Sequence, residues 1–160
     1  MAIKLIHIYD IDGTLISSSH RYRTAECGKR IDLEYWREHD NERFIRKDSP
    51  LPHLAQYKQD LQDPEIYVIL ATARACIKGD ANYKYIEHRM GNPDKFVHRL
   101  GIEDNRGGSE LKIQAIKPLL NLKQFAGAVV HIWEDNASYL SDMVCRLGGI
   151  GHMIQSTQGH

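Results

Sequence analysis

Two carboxylates one residue apart, Asp10 and Asp12, stand in the run Tyr9-Asp10-Ile11-Asp12-Gly13-Thr14-Leu15. One carboxylate can attack phosphorus while the other moves a proton, and a divalent cation between them relieves their mutual repulsion. Both can face one small polar site if the chain stops being a regular strand there, and Gly13 permits the loosened backbone. Asp-Gly is also a common turn dipeptide, so a strand ending in an acidic turn is the plain alternative. Against it stand the apolar run Ile3 to Ile8 just before the pair and Thr-Leu just after it.

The same kind of placement recurs along the chain. Three short apolar runs, Ile3 to Tyr9, Ile66 to Ala71 and Ala128 to Trp133, predict strands buried on both faces, as in a parallel sheet. Sites in open α/β sheets form beyond the carboxyl ends of the strands. Thr72-Ala73-Arg74 follows the second run: a threonine hydroxyl can hold a phosphoryl oxygen and a guanidinium can add a forked contact. Glu134-Asp135-Asn136 follows the third and offers oxygen ligands for a hard cation such as Mg2+. Between the last two lies Lys112, near the start of a helix with Ser109 as its expected N-cap, where a lysine can balance phosphate and aspartate; Lys117 is also nearby. Each piece alone reads as an ordinary cap, surface charge or acidic turn, and it is their order that argues for one site.

The elements that must position these groups alternate. Helical spacing marks Leu51 to Leu61, Ser109 to Leu120 and Ser138 to Leu147, the last stopped by Gly148-Gly149. Phe96 to Leu100 and Ile150 to Ile154 are weaker strand candidates. The order predicts an α/β protein with a three-layer, doubly wound parallel sheet. A charged, partly helical segment after the first strand, about residues 16–50, reads as a small cap insertion, and residues 1–160 as one domain.

The chain of 160 residues carries 21 basic and 21 acidic side chains, so bulk charge points to no nucleic-acid or membrane partner. Three scattered cysteines give neither a disulfide framework nor a Cys-x-x-Cys site, which fits a cytoplasmic setting. The apolar start is too short for a signal peptide, and no run reaches transmembrane length. The nine histidines lack a His-Glu-x-x-His pattern, and most read as surface or helix-end residues.

With these residues in this order, the chain resembles the haloacid dehalogenase-like superfamily of phosphohydrolases. The resemblance implies Asp10 as nucleophile, Asp12 as general acid/base, and Thr72 and Lys112 as phosphate-binding catalytic residues. It also implies Mg2+ held by Asp10, the backbone carbonyl of Asp12, Asp135 and the neighbouring Glu134. Within that superfamily it is most similar to the compact phosphatase modules of polynucleotide kinase-phosphatases and their phage-type relatives. That likeness rests on Ser19-His20-Arg21, Tyr35-Trp36-Arg37, Ala71-Thr72-Ala73-Arg74 and Trp133-Glu134-Asp135-Asn136. Ala73 stands where those modules often have glycine, and Glu134-Asp135-Asn136 where they have Asp-Asp-Arg. No Gly-x-x-x-x-Gly-Lys-Ser/Thr loop occurs, so no kinase half is expected.

The implied reaction is hydrolysis of a phosphate monoester on a nucleotide or on a 3′-phosphate nucleic-acid end. His20, Arg21, Trp36, Arg37 and Arg74 are the candidate substrate contacts, with Tyr22, Tyr35 and Trp36 able to stack on a base. A phosphatase of another small phosphorylated metabolite, and a catalytically silent binding module, are the alternatives.

Overall fold

The continuous apolar runs form the middle of a parallel sheet in the computed structural model, which describes residues 2–156. Its strands are β1 (Leu5–Tyr9), β4 (Ile66–Ala75), β5 (Lys95–Arg99), β6 (Val129–Glu134) and β7 (Ile150–Met153), in the order β5-β4-β1-β6-β7. Every pairing is parallel, which requires a crossover between each pair of neighbours. β1 lies at the centre, where the chain order reverses, so its carboxyl end sits where such sheets bind ligands.

Alternation along the strands feeds two cores. Tyr9, Val68, Leu70 and Trp133 pack on one face with Leu54 and Tyr57 of α3 (His53–Asp60). Tyr85 of α4 (Ala81–Tyr85), and Ile86 and Met90 of the π-helical turn Ile86–Met90 that follows, complete that layer. Ile6, Ile8, Ile69, Ala71, Val130 and Ile132 pack on the other face with Ile113 and Ile116 of α5 (Gly108–Leu120) and Met143 of α6 (Ala137–Leu147). The architecture is therefore the expected α/β three-layer sandwich. The segment after β1 contains an antiparallel pair, β2 (Ile16–Ser17) with β3 (Ser49–Pro50). Between those strands lie a 3-10 turn (Ser19–Arg21), α1 (Leu33–His39) and α2 (Glu42–Ile45).

Some expectations need correction. Ser109 is not the N-cap of α5: the helix starts from Gly107, and the Ser109 hydroxyl donates to Asp142 of α6 at 2.8 Å. β4 runs past Ala71 to Ala75, and its pairing with β5 slips between those two residues, so Thr72 to Arg74 bulge from the ladder. α4 and its π-helical turn have no clear apolar periodicity and were not expected. His7, His131 and His152 lie on strands rather than at helix ends; His7 is buried against Asp60 at 2.6 Å, and His131 and His152 share a 2.9 Å hydrogen bond. Among the described residues, no helix is long and apolar enough to cross a membrane.

Candidate active site

Asp10 follows the last residue of β1, and its backbone N–H donates to the Trp133 carbonyl of β6 at 3.0 Å. That bond sets the two strand ends side by side and brings Asp10 against Glu134 and Asp135. From the other face, α5 delivers Lys112, whose Nζ donates to Asp10 Oδ1 at 2.8 Å and to Glu134 Oε2 at 2.7 Å. Lys112 is 1% exposed, whereas Lys117 is exposed on the same helix, so Lys112 is the lysine that the fold brings to the carboxylates. The other Asp10 oxygen accepts from Thr14 Oγ1 at 3.2 Å.

The turn after β1 brings in the second carboxylate. Gly13 adopts φ +78°, a conformation that an L side chain resists, and a Cβ there would stand 2.1 Å from Asp135 Oδ2. Asp12 is met by Arg74 from the β4 bulge, with Nε to Oδ2 at 2.8 Å and Nη2 to Oδ1 at 2.6 Å, and Ser18 also donates to Oδ1. Thr72 is buried, and its Oγ1 accepts the Arg74 backbone N–H at 3.1 Å, which fixes the bulge.

Arg74 thus points into the site but holds Asp12 rather than standing free for phosphate. Arg21 is likewise not a free contact: it is 0% exposed, forked onto Asp48 at 3.0 Å and 3.0 Å and bound to Asp40 at 3.1 Å. His20 turns its ring to the Phe44 carbonyl at 2.7 Å and lies 3.4 Å from Asp48. Arg37 is exposed, and its side chain makes no hydrogen bond or ion pair to these groups among the described residues. Tyr35 is occupied locally, stacked on His39 and covered by Arg23. Trp36 does reach the site, with the Arg21 guanidinium 4.5 Å and that of Arg74 5.8 Å from its ring centroid. Tyr22, 6.3 Å from Trp36 between ring centroids, is half-buried, and the charges of Asp12 and Asp135 add to burial in raising its hydroxyl's pKa.

The electrostatics divide the two catalytic candidates. Burial, and then the charge of Glu134, push the Asp10 carboxyl up to about 7 despite Lys112. Asp135 is pushed up by burial and by Asp10 and Glu134. Asp12 is partly buried, but the Arg74 guanidinium outweighs that penalty and holds its carboxyl well below the usual carboxylate range. Burial acts against the Lys112 charge too, yet Asp10 and Glu134 raise its pKa and keep it protonated. Oxygens of Asp10, Glu134 and Asp135 lie within 4.8 Å of one another. An all-oxygen set whose members repel one another fits a hard divalent cation. The Asp12 carboxylate is not in that set, because Arg74 takes it. Asn136 makes no arginine-like contact; its side chain caps α6 by accepting from Tyr139 N at 3.1 Å.

Three further residues join this site that are not among the sequence candidates. Asp48 and Asn82 both bind Arg74, at 3.3 Å and 2.7 Å, and Ser18 binds Asp12. Only Ser18 carried a signal, its closeness to the Asp-x-Asp motif.

Residues 1–95 match the family model of the bacteriophage T5 5′-deoxynucleotidase. Solved structures resemble the chain as well. A chain of the Pnkp1/Rnl/Hen1 complex is 16% identical with a TM-score of 0.63, covering 95% of this chain and 45% of that one. A putative phosphatase from Clostridium difficile is 14% identical with a TM-score of 0.65, covering 100% and 88%. Phosphoserine phosphatase in its apo form is 16% identical with a TM-score of 0.54, covering 92% and 86%. At such identities the structures establish the fold alone, and this chain spans less than half the length of the Pnkp1/Rnl/Hen1 complex chain. No curated protein sequence matches significantly.

Proposed function

Since the chain belongs to the bacteriophage T5 5′-deoxynucleotidase family and is therefore a hydrolase of phosphate esters, we propose that it hydrolyses nucleoside monophosphates in two steps through Asp10 and Asp12. The observation that carries this reading is the pairing of Asp10 with Lys112 in a buried acidic cluster, two residues before a carboxylate held ready by Arg74.

In the first step an Asp10 oxygen attacks phosphorus in line, and the nucleoside oxygen leaves with a proton. Lys112 keeps a positive charge beside the attacking carboxylate and the phosphoryl oxygens, where low dielectric makes it effective. Asp12, charged while Arg74 holds it, is suited to take the proton of the water that cleaves the aspartyl-phosphate. To act as donor in the first step, Asp12 must first take up a proton from solvent, which a phosphate arriving beside it favours by raising its proton affinity. Asp10, Asp135 and Glu134 would hold Mg2+, with the backbone carbonyl of Asp12 implied by the family resemblance. The ion would neutralise charge on the phosphoryl oxygens. Thr72 lies beside the phosphate-binding end of β4, and Tyr22 and Trp36 offer aromatic faces for a base from the segment between β2 and β3, which acts as a cap.

The test is phosphate release with and without Mg2+ from nucleoside and deoxynucleoside 5′- and 3′-monophosphates, a 3′-phosphorylated oligonucleotide and several sugar phosphates. Mg2+-dependent turnover with a preference for nucleoside monophosphates supports the reading. Preference for the oligonucleotide end would move the substrate to polynucleotides, and preference for sugar phosphates would remove the aromatic cap argument.

A further inference from the structure

Asp48 has no part in the chemistry above, yet it stands between the two most deeply buried arginines. Its side chain is fully buried where the cap segment returns to β3. Oδ1 and Oδ2 receive the fork of Arg21, and Oδ2 also receives Arg74 Nη2 at 3.3 Å. The Tyr85 hydroxyl donates to its backbone carbonyl at 2.9 Å, which ties the residue to α4. Arg21 is held in turn by Asp40, and Asp40 by Asn82, whose side-chain carbonyl accepts Arg74 Nη1 at 2.7 Å.

These side-chain bonds form a closed ring, Asp40–Arg21–Asp48–Arg74–Asn82, and the Arg74 fork connects it to Asp12. A planar guanidinium presents its fork to a carboxylate in one fixed direction when its remaining N–H groups are held as well. Asp48 and Asn82 fix them. Resting on the hydrolase reading above, we propose that Asp48 is a positioning residue: by sharing Arg74 with Asp12, it aims the Asp12 carboxylate at the leaving oxygen. It never touches the substrate, and its effect falls on proton transfer to the leaving group rather than on binding.

A readout that a merely structural role would not move is the dependence on leaving group. A nucleoside alkoxide needs a proton as it leaves, whereas p-nitrophenolate does not. For Asp48→Asn, which keeps shape and removes one charge, kcat on a nucleoside 5′-monophosphate falls at least about 10-fold, with KM within about twofold and kcat on p-nitrophenyl phosphate within about threefold. Arg21→Gln, which loosens Asp48 from the other side without removing a carboxylate, gives the same split and serves if Asp48→Asn does not fold. Nitrogen-15 NMR of the Arg74 Nε–H, a contact to Asp12, shows that resonance shifted in both variants. An equal fall on both esters, no fall on either, or an unmoved Arg74 resonance overturns the role of Asp48. A wild-type protein inactive on both esters overturns the hydrolase reading instead.

Discussion

At Asp10 and Asp12, two carboxylates on one short turn are driven to different states by their neighbours. Asp10 sits among other carboxylates, with the Lys112 charge opposing them; Asp12 sits on a guanidinium fork. That division, which the proposed mechanism uses for attack at Asp10 and proton transfer at Asp12, depends on arginine geometry as much as on charge. Arg74→Lys keeps the charge but cannot span both Asp12 oxygens and Asn82 at once. We expect about a 10²-fold loss of kcat on nucleoside monophosphates, the lower end of what general acid–base catalysis supplies. Steady-state kinetics at fixed Mg2+ reads it, and a wild-type rate would mean that the fork is dispensable. The sequence made Asp10, Lys112, Glu134 and Asp135 legible because each lies at a strand end or helix start, where local pattern reports position. It did not make Asp48 or Asn82 legible. Their partners lie 26 and 8 residues away, and such contacts leave no mark on local spacing. For the same reason Arg21 reads from sequence as a candidate substrate contact, although the fold buries it completely.

Among the elements, the turn after β1 and the bulge of β4 do most of the placing. The strands themselves could be read from apolar runs, because burial on both faces demands them. The bulge could not, since Ala71-Thr72-Ala73-Arg74 continues the strand pattern and only the slipped pairing with β5 turns it aside. The turn does carry a readable constraint in Gly13. Gly13→Ala meets both a left-handed backbone, at a cost of about 1–2 kcal/mol, and a Cβ placed 2.1 Å from Asp135 Oδ2. Asp135 must therefore move. Denaturant unfolding should show the lower stability, and calorimetric titration should show Mg2+ affinity reduced at least about 10-fold, the scale on which displaced metal-site geometry is felt. Unchanged affinity would mean that Asp135 is not a ligand.

For the molecule as a whole, the acidic cluster couples stability to pH and, on the proposed reading, to Mg2+. Asp10 and Asp135 have folded pKa values raised above the unfolded carboxylate range near about 4. The folded state then binds more protons than the unfolded one above that range, so metal-free stability falls as pH rises from about 4. Asp12 acts in the opposite sense, but its depressed pKa contributes fully once the unfolded carboxylate is ionised, so it does not alter the slope at higher pH. A cation that binds the ionised carboxylates recovers the loss. Mg2+ should therefore raise Tm over a chelated sample by more at pH 8 than at pH 5.5. Equal shifts at both pH values would disconnect the cluster from the metal.

The segment between β2 and β3 is held to the sheet layers through Arg21 and Arg74, and Arg74 also reaches Asp12, so on the proposed reading the cap and the proton-transfer group are linked. The central claim, however, is the covalent step at Asp10. We would mix the protein and Mg2+ with a 32P-labelled deoxynucleoside 5′-monophosphate, quench in acid within one turnover and map the label by peptide. The account predicts acid-stable, base-labile label on the peptide carrying Asp10, with both the label and phosphate release absent from Asp10→Asn. Phosphate release by Asp10→Asn at the wild-type rate, or label on another residue, would contradict it.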